Sequence, residues 1–284
     1  LKAQKMILYQ DINSLSITCC SDTSYILNKI SENVNIKELN LYSCELEKIP
    51  ENIAKLRNLK SLKLFNNKIK MIPYWISELD SLSTIDLSNN PIDLDSVMNV
   101  LKLISSLENL YLEGNFLFSI PKDFENLKSL KKISLNNNLF DHIPSELTKI
   151  KNLQELRIGI NQITYIDSFD VVGLLNLNNL KILDLYKNPL RNIDNSFVKL
   201  SWLEQLSLAS TLIERLPINF HLLEKLEVLE IQKTKLKIDI NVICKMKNIK
   251  MIIDHKGRFT IDEIAELKNC KPQLILFKSG VAPE

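Results

Sequence analysis

The side chains that could do chemistry are few and widely separated in this 284-residue chain. Histidine is a common general base and zinc ligand, but His142, His221 and His255 do not have metal-ligand spacing. No glycine-rich phosphate loop occurs, and no nucleophile lies in a recognisable motif. The 34 Asp and Glu residues are interspersed with 36 Lys and Arg residues, so we expect the carboxylates to solvate the surface. We therefore predict a protein that is not an enzyme, with no catalytic residue, no cofactor and no metal ligand.

The elements that must position any functional side chain come from an internal repeat. In one copy, Leu59, Leu62 and Leu64 are followed by Asn67, and close variants recur at intervals of 23 to 27 residues. The first positions of the ten copies are Ile12, Ile36, Leu59, Leu82, Leu107, Leu130, Leu153, Leu180, Leu203 and Leu226, and a frayed eleventh copy starts at Ile249. Leucines two residues apart share one face of a short strand. A coil this short cannot bury its own leucines, so successive coils must stack, and the period is the signature of a leucine-rich-repeat solenoid.

The pattern predicts an α/β solenoid. We expect a right-handed superhelix with a concave parallel sheet of about ten strands and irregular, 3-10 or helical convex arms. An asparagine closes the strand turn in six consecutive copies, at Asn67, Asn90, Asn115, Asn138, Asn161 and Asn188. Its amide can both donate to and accept from the turning backbone, which predicts an asparagine ladder. Cys20 and Cys44 take this place in the first two copies, and Thr211 and Thr234 in the last two full ones.

We divide the chain into an N-terminal cap segment (1–11), the solenoid (12–254), a C-terminal cap (255–278) and a frayed tail (279–284). Thr260 and Glu263 form the pattern of a capping box, which predicts a helix, and Leu274 to Phe277 predicts a final strand. Two copies are overlong. Residues 92–106 have apolar residues at helical spacing, and residues 167–179 carry four extra positions. The extra length is either a binding bulge or tolerated drift.

Composition narrows the partner classes. A net charge of +2 with mixed signs favours neither nucleic acid nor an anionic membrane, and no run of about 20 apolar residues predicts a membrane span. The five cysteines, Cys19, Cys20, Cys44, Cys244 and Cys270, are expected to be buried reduced thiols. The chain starts at Leu1, so we expect a processed or trimmed start. Localisation stays open between cytoplasmic and exported bacterial.

The variable residues between the leucines carry the information on binding. On the concave face, equivalent positions of neighbouring strands lie about 4.8 Å apart. Aromatic residues and arginine are the usual interface hot spots, which makes Tyr42, Lys63, Phe65, Tyr111, Arg157 and Tyr186 the candidate partner-binding residues. The alternative is that these aromatic residues only pack across strands. Gly159 and Ile160 are expected to leave a shallow notch.

One resemblance follows from these residues. The 23-residue pattern, closest to consensus over residues 36–81 with Ile49–Pro50 and Ile72–Pro73, resembles leucine-rich-repeat proteins of spirochaetes and Bacteroidetes. It is also similar to intracellular scaffolds of the eukaryotic Ras pathway. The stretch from Glu263 to Phe277 is similar to a cap of the bacterial members. The likeness covers about residues 12–277 and implies protein recognition, in a pathogen recognition of a host protein.

We therefore predict a monomeric, non-enzymatic module that binds a protein partner of unknown identity through the concave face. Two alternatives stay open. One is an exported bacterial adhesin or virulence-associated protein that binds host proteins. The other is the recognition arm of a larger protein whose effector domain lies elsewhere.

Overall fold

A computed structural model describes residues 13–18, 35–254 and 258–278. The predicted N-terminal cap segment, the tail, Ile12, Cys19, Cys20 and His255 lie outside these residues. The chain divides after Asn115 into two compact units. The division falls within residues 12–254, which the sequence pattern assigned to one solenoid.

The first unit is a parallel sheet whose strands follow one another in chain order. The strands are β1 (Ser14–Thr18), β2 (Glu38–Tyr42), β3 (Ser61–Lys63), β4 (Thr84–Asp86) and β5 (Asn109–Tyr111). Neighbouring strands pair at equivalent repeat positions, with Leu39 opposite Leu62 and Ile85 opposite Leu110. The return arms contain 3-10 turns at Glu51–Lys55 and Tyr74–Glu78 and the helix α1 (Leu94–Leu101). The predicted helix in residues 92–106 is confirmed, and Asp93 caps its first turn.

The second unit repeats this arrangement. In chain order its regular elements are β6 (Lys132–Ser134), β7 (Glu155–Arg157), β8 (Tyr165–Ile166), α2 (Ser168–Leu174), β9 (Ile182–Asp184), β10 (Asn192–Ile193), β11 (Gln205–Ser207), β12 (Val228–Glu230), α3 (Ile240–Lys245), β13 (Met251–Asp254), α4 (Ile261–Cys270) and β14 (Ile275–Lys278). Its 3-10 turns are Lys122–Asn126, Ser145–Lys149, Asn195–Lys199 and Phe220–Leu222. The main sheet has the order β6-β7-β9-β11-β12-β13-β14, and β8 pairs with β10 in the return arms.

Among the described residues, twelve strands belong to the main sheet, five from the first unit and seven from the second, against the expected total of about ten. The difference comes from the end of the chain. The degenerate eleventh copy still forms β13, and the cap adds β14 in parallel register beside it. The α4 helix begins at the predicted capping box, where Thr260 accepts from the Glu263 amide and the Glu263 carboxylate accepts from the Thr260 amide. The predicted helix-plus-strand cap is therefore confirmed.

The repeat leucines form the core. Leu62 and Leu64 are 1% and 0% exposed, and the return arms of the second unit bury Phe124, Phe197 and Phe220. Burying a phenylalanine contributes roughly 1.5–3 kcal/mol, because its apolar surface leaves water.

The asparagine ladder is confirmed in hydrogen bonds. The Asn67 side-chain amide donates to the carbonyls of Leu41 and Leu64, both at 2.8 Å. Its Oδ1 accepts from the amides of Cys44 and Leu46 at 3.0 and 3.1 Å. Each ladder asparagine thus satisfies both its own turn and the turn of the preceding copy.

An arginine completes the ladder where asparagine is missing. Thr234 can donate only to the Ile231 carbonyl, at 2.7 Å. The guanidinium of Arg258 donates to the carbonyls of Ile231, Thr234 and Leu236 and forms an ion pair with Asp254. Of these carbonyls, that of Ile231 is the one that an asparagine of a following copy would bond, as Asn67 bonds the Leu41 carbonyl. Repeat spacing did not predict this role, because Arg258 lies in the C-terminal cap, beyond the repeat pattern.

The expectation of reduced thiols is wrong for two of the five cysteines. Cys244 in α3 and Cys270 at the end of α4 form a disulfide, with their Cα atoms 5.6 Å apart. The two helices pack against each other, which brings the thiols within bonding distance although 26 residues separate them. Cys44 is buried and is not part of this disulfide, as expected. The disulfide therefore ties the cap to the last full repeat.

Candidate protein-binding face

The candidate site lies on the strand face, which we define as the side chains that point away from the leucine core at the third, fifth and seventh positions of each copy. Successive residues of a strand point to opposite sides, so burying Leu62 and Leu64 directs Lys63 and Phe65 outward. Lys63 is half-buried, and Phe65 is exposed at 37%. The repeat therefore explains why these two side chains are available to a partner.

The strand face of the first unit carries an aromatic pair. Tyr42 on β2 and Phe65 just after β3 meet edge to face, with ring centroids 6.3 Å apart and ring planes at 77°. This geometry is favourable because the positive edge of one ring faces the negative face of the other. The predicted neighbourhood of these residues is confirmed, and the contact restricts both rings before any partner arrives.

The phenol of Tyr42 lies in surroundings that keep it protonated. Burial raises the pKa of Tyr42, and the carboxylates of Asp86 and Glu38 raise that pKa further. At neutral pH its hydroxyl is therefore a neutral group that can donate one hydrogen bond.

Two polar groups next to the aromatic pair lack partners. In strand register, Lys63 lies between Asn40 and Asp86, yet it forms no ion pair with any residue that the structure describes. Asn40 is only 8% exposed. Its amide donates to the Ser16 hydroxyl at 2.8 Å, while its Oδ1 is buried without a hydrogen bond. A buried acceptor left unsatisfied costs about 1–3 kcal/mol.

The residue types that usually form hot spots did not indicate Asn40, because asparagine is not among them. Its signal was a side-chain amide at an outward position of β2, between the larger side chains of Glu38 and Tyr42. Tyr111 lies farther along this face, on β5, opposite Asp86. It is half-buried and is two strands away from Lys63. The first unit therefore groups Tyr42, Lys63 and Phe65 closely and places Tyr111 to one side.

In the second unit, Arg157 is held in an ion-pair network. Its Nε lies 2.5 Å from Glu155 Oε1, and the Lys132 ammonium lies 2.7 Å from Glu155 Oε2. Burial favours a raised pKa for Glu155, but the hydrogen bonds and charges of Lys132 and Arg157 outweigh it and hold that pKa below its ordinary value. Arg157 thus neutralises a buried carboxylate besides presenting its guanidinium to solvent.

Tyr186 closes the notch expected at Gly159. A Cβ atom on Gly159 would lie 2.1 Å from Tyr186 Cδ1, so the ring lies directly on the glycine backbone. The Lys187 ammonium lies 5.9 Å from the centre of the same ring, within range of a cation–π contact. The expected notch is therefore wrong: Gly159 makes room for a neighbouring ring instead of a partner side chain.

A second exposed apolar cluster lies off the strand face. Phe116 and Phe118 are 75% and 71% exposed, and Leu139, whose amide donates to the Leu117 carbonyl, is 41% exposed. Phe116 also has a φ of 58°, an uncommon conformation for a bulky residue. The sequence columns missed this cluster because it follows the strand turn instead of lying within a strand.

The side chains that commonly bind metals do not cluster in the parts of the chain that the structure describes. No group of three or more His, Cys, Asp and Glu side chains could hold a metal ion among residues 13–18, 35–254 and 258–278. The Nδ1 atom of His142 lies 2.5 Å from the neighbouring carboxylate of Asp141. No described helix is long and apolar enough to cross a membrane.

Comparison with known proteins agrees with the repeat. Residues 34–92 and 105–163 match the family described as Leucine rich repeat. No curated protein matches the chain.

Two solved structures of bacterial proteins are similar in fold. A leucine-rich-repeat protein of Leptospira interrogans is 24% identical, with a TM-score of 0.58 over 92% of this chain and 81% of that one. An internalin of Listeria monocytogenes is 19% identical, with a TM-score of 0.63 over 97% of this chain and 88% of that one. At these identities the likeness establishes the fold alone.

Proposed function

We propose that this chain is a non-enzymatic module whose strand face binds a protein partner. The proposal is supported by its leucine-rich-repeat fold and by the two stretches that match that family. The observation that supports this most directly is the edge-to-face pair of Tyr42 and Phe65 on an uncovered sheet. Repeat scaffolds present extended surfaces of this kind to macromolecules. Aromatic residues dominate binding energy at such surfaces because they bury a large area while ordering few torsions.

The first unit supplies the anchors. Tyr42 and Phe65 would enter the partner's apolar surface, Lys63 would pair with a partner acceptor, and Asn40 Oδ1 would receive a donor that this chain does not supply. Tyr111 would contact the partner at the margin of this patch. In the second unit, Arg157 and Tyr186 would also contact the partner. The guanidinium of Arg157 is held by its ion pair with Glu155, and the Tyr186 ring is held by its packing on Gly159.

Photo-crosslinking tests which face is used. A photoreactive phenylalanine analogue at position 111 lies on the strand face, and the same analogue at position 118 lies in the exposed cluster of the second unit. With cell extract or candidate host protein as the source, we expect a discrete crosslinked product from position 111 and none from position 118. Crosslinking from position 118 alone would move the binding site to the Phe116–Phe118 cluster.

One observation favours the exported alternative. Disulfides persist in oxidising compartments and are rare in the reducing cytosol of mesophiles, and Cys244 is joined to Cys270. We therefore propose that the protein works outside the cytosol, where the partner would be an extracellular or host protein. Alkylation of the protein in its source cells, followed by mass spectrometry, should leave these two cysteines unmodified until a reductant is added. Immediate alkylation of both would contradict this placement.

A further inference from the structure

We propose that the strand face of the second unit binds a basic side chain of the partner, an arginine above all, in a recess between β9 and β12. This inference rests on the proposed function, since it names the chemistry of a protein partner at that face. The recess is defined by Asp184, Tyr186, Ser207, Ala209, Glu230 and Gln232.

Small residues form the floor of the recess. Ser207 and Ala209 occupy the fifth and seventh positions of their copy, where the neighbouring copies carry larger side chains. Ser207 is opposite Asp184 on one side and opposite Glu230 on the other. At the next outward position, backbone hydrogen bonds place Ala209 between the segments of Tyr186 and Gln232. Ser207 and Ala209 are only 7% and 3% exposed, because the flanking side chains overhang them.

The side chains that flank the recess carry more hydrogen-bond acceptors than Ser207 has protons to donate. The Ser207 hydroxyl donates to Glu230 Oε2 at 3.1 Å. A serine has one hydroxyl proton, so Ser207 has none left for Asp184, which it faces in strand register. Asp184 accepts from the backbone amide of Tyr186 at 3.1 Å. The two carboxylates therefore flank a serine that can donate to only one of them.

A third acceptor beside them has no donor at all. Gln232 follows Glu230 by two residues on the same side of the strand, and its Oε1 is buried without a hydrogen bond. Buried polar oxygens are nearly always paired in proteins, so an unpaired one next to two carboxylates marks a place where donors are missing. The missing partner must bring several N–H groups.

The cations of this chain that lie nearby are already engaged. Arg157 lies opposite Asp184 in strand register, but its Nε is bonded to Glu155, and Lys187 lies over the Tyr186 ring. The neighbouring acidic residues contrast with Asp184 and Glu230, because Glu204 pairs with Lys181 at 3.0 Å and Glu227 pairs with Lys250 at 2.7 Å. Neither Asp184 nor Glu230 forms an ion pair within the described ranges. A cation from outside the chain is thus the complementary occupant.

The chemistry favours a guanidinium over an ammonium group. Arginine presents five N–H donors in one plane, which can serve two carboxylates and an amide oxygen together, whereas lysine presents three donors from one point. The electrostatics agree with this geometry. Burial raises the pKa of Asp184 and the Glu230 charge raises it further, against the lowering effects of Arg157, Ser207 and the Tyr186 amide. A bound cation would remove this penalty on the ionised carboxylate.

A peptide titration tests the recess on the full chain. The probe is acetyl-Gly-Ala-Arg-Ala-Gly-amide, and its matched control replaces arginine by citrulline, which has nearly the same shape but no charge. We expect saturable NMR shifts of the amides of Tyr186 and Ser207 with the arginine peptide, and binding at least about tenfold weaker with citrulline. Equal affinity for both peptides, or no saturable shift up to about 10 mM arginine peptide, would overturn the proposal.

Three variants distinguish specific binding in the recess from nonspecific electrostatic attraction of the arginine peptide. Asp184→Asn and Glu230→Gln should each weaken binding of the arginine peptide by about tenfold or more. Glu227→Gln removes the same charge from an ion-paired carboxylate close by and should leave affinity unchanged. Weakening by Glu227→Gln as large as by Glu230→Gln would contradict a specific recess. Melting temperatures of all three variants show whether each is folded.

The outcome is independent of the aromatic patch in the first unit. A Tyr42→Ala/Phe65→Ala variant should bind the arginine peptide as the wild type does, since none of the recess residues is altered. Loss of peptide binding in the Asp184→Asn and Glu230→Gln variants supports the recess. Loss of partner binding in the Tyr42→Ala/Phe65→Ala variant supports the aromatic patch. Each proposal can therefore fail without the other.

Discussion

At the scale of single residues, the turn after each strand imposes a left-handed backbone on whatever residue occupies its eighth position. Asn66, Asn89 and Asn137 adopt φ values of 53–56°, and asparagine tolerates this region well. Ile160 has the same conformation, with φ at 51°, although a branched Cβ crowds the following carbonyl there. The surrounding residues therefore hold this turn in the left-handed conformation, although isoleucine disfavours it.

The first prediction concerns this position. Ile160→Asn should raise the free energy of unfolding by about 1 kcal/mol, because the backbone strain is relieved. The reciprocal change, Asn137→Ile at an exposed site, should lower it by about 1–2 kcal/mol. Urea denaturation of both variants checks this. Destabilisation by Ile160→Asn would show that lost packing of the isoleucine outweighs the strain.

The second prediction concerns Asp184. Because its pKa in the folded chain is raised above the ordinary value of 3.8, the folded state binds more protons than the unfolded state between those two pKa values. The free energy of unfolding therefore falls as the pH rises through that interval. Asp184→Asn should remove this loss and stabilise the protein at neutral pH.

Denaturation curves at a series of pH values check the sign of this effect. The stability of Asp184→Asn relative to the wild type should grow as the pH rises above about 4 and then level off. A variant less stable than the wild type at pH 7 would mean that the folded protein stabilises the ionised Asp184 carboxylate more than its raised pKa indicates.

At the scale of elements, the asparagine ladder joins each strand turn to the next. Asn161 donates to the carbonyls of Leu135, Ile158 and Gly159 and accepts from the Phe140 amide. Removing the side chain leaves several buried backbone groups without partners, each costing about 1–3 kcal/mol. The ladder thus stabilises irregular turns that have no regular hydrogen-bond pattern of their own.

The third prediction is that Asn161→Ala lowers the free energy of unfolding by about 3 kcal/mol, while Asn161→Thr costs less. Threonine should recover one bond, as Thr211 does when it donates to the Leu208 carbonyl at 2.6 Å. Chemical denaturation compares the two. Equal costs for alanine and threonine would show that a single turn bond contributes nothing.

The fourth prediction concerns the disulfide between α3 and α4. Joining residues 26 positions apart restricts the unfolded chain, which by loop-closure entropy stabilises the folded state by about 3.5 kcal/mol. A Cys244→Ser/Cys270→Ser variant should lose stability of this order, and hydrogen exchange should rise first in the cap.

The matched control is the reductant itself. A reductant should destabilise the wild type and leave the Cys244→Ser/Cys270→Ser variant unchanged. A wild type indifferent to reduction would mean that the two thiols are not bonded.

At the scale of the whole molecule, the features that sequence predicts are those set by local spacing. Leucines two apart define each strand, the asparagine defines the turn, and Thr260 with Glu263 defines the start of α4. These depend on residues within one copy. The strands, the ladder and the cap could therefore be derived before any coordinates.

The features that sequence did not predict depend on contacts between copies. The Tyr186 ring on Gly159, the bond between Cys244 and Cys270, and the Arg258 contacts with three turn carbonyls all join residues 22–27 positions apart. A single-copy pattern contains no information on which side chain of the next copy fills a gap. The sequence indicated the Tyr42–Phe65 patch but not the hydrogen bond from Ser207 to Glu230.

The central claim is that the strand face binds a protein partner, and the affinity of the Tyr42→Ala/Phe65→Ala variant tests it most directly. With the partner identified by crosslinking, calorimetry should show a loss of more than about 2 kcal/mol, roughly 30-fold in Kd, with an unchanged free energy of unfolding. A Phe116→Ala/Phe118→Ala variant, which removes two more exposed rings off the strand face, should bind as the wild type does. Unchanged affinity in the Tyr42→Ala/Phe65→Ala variant would contradict the account.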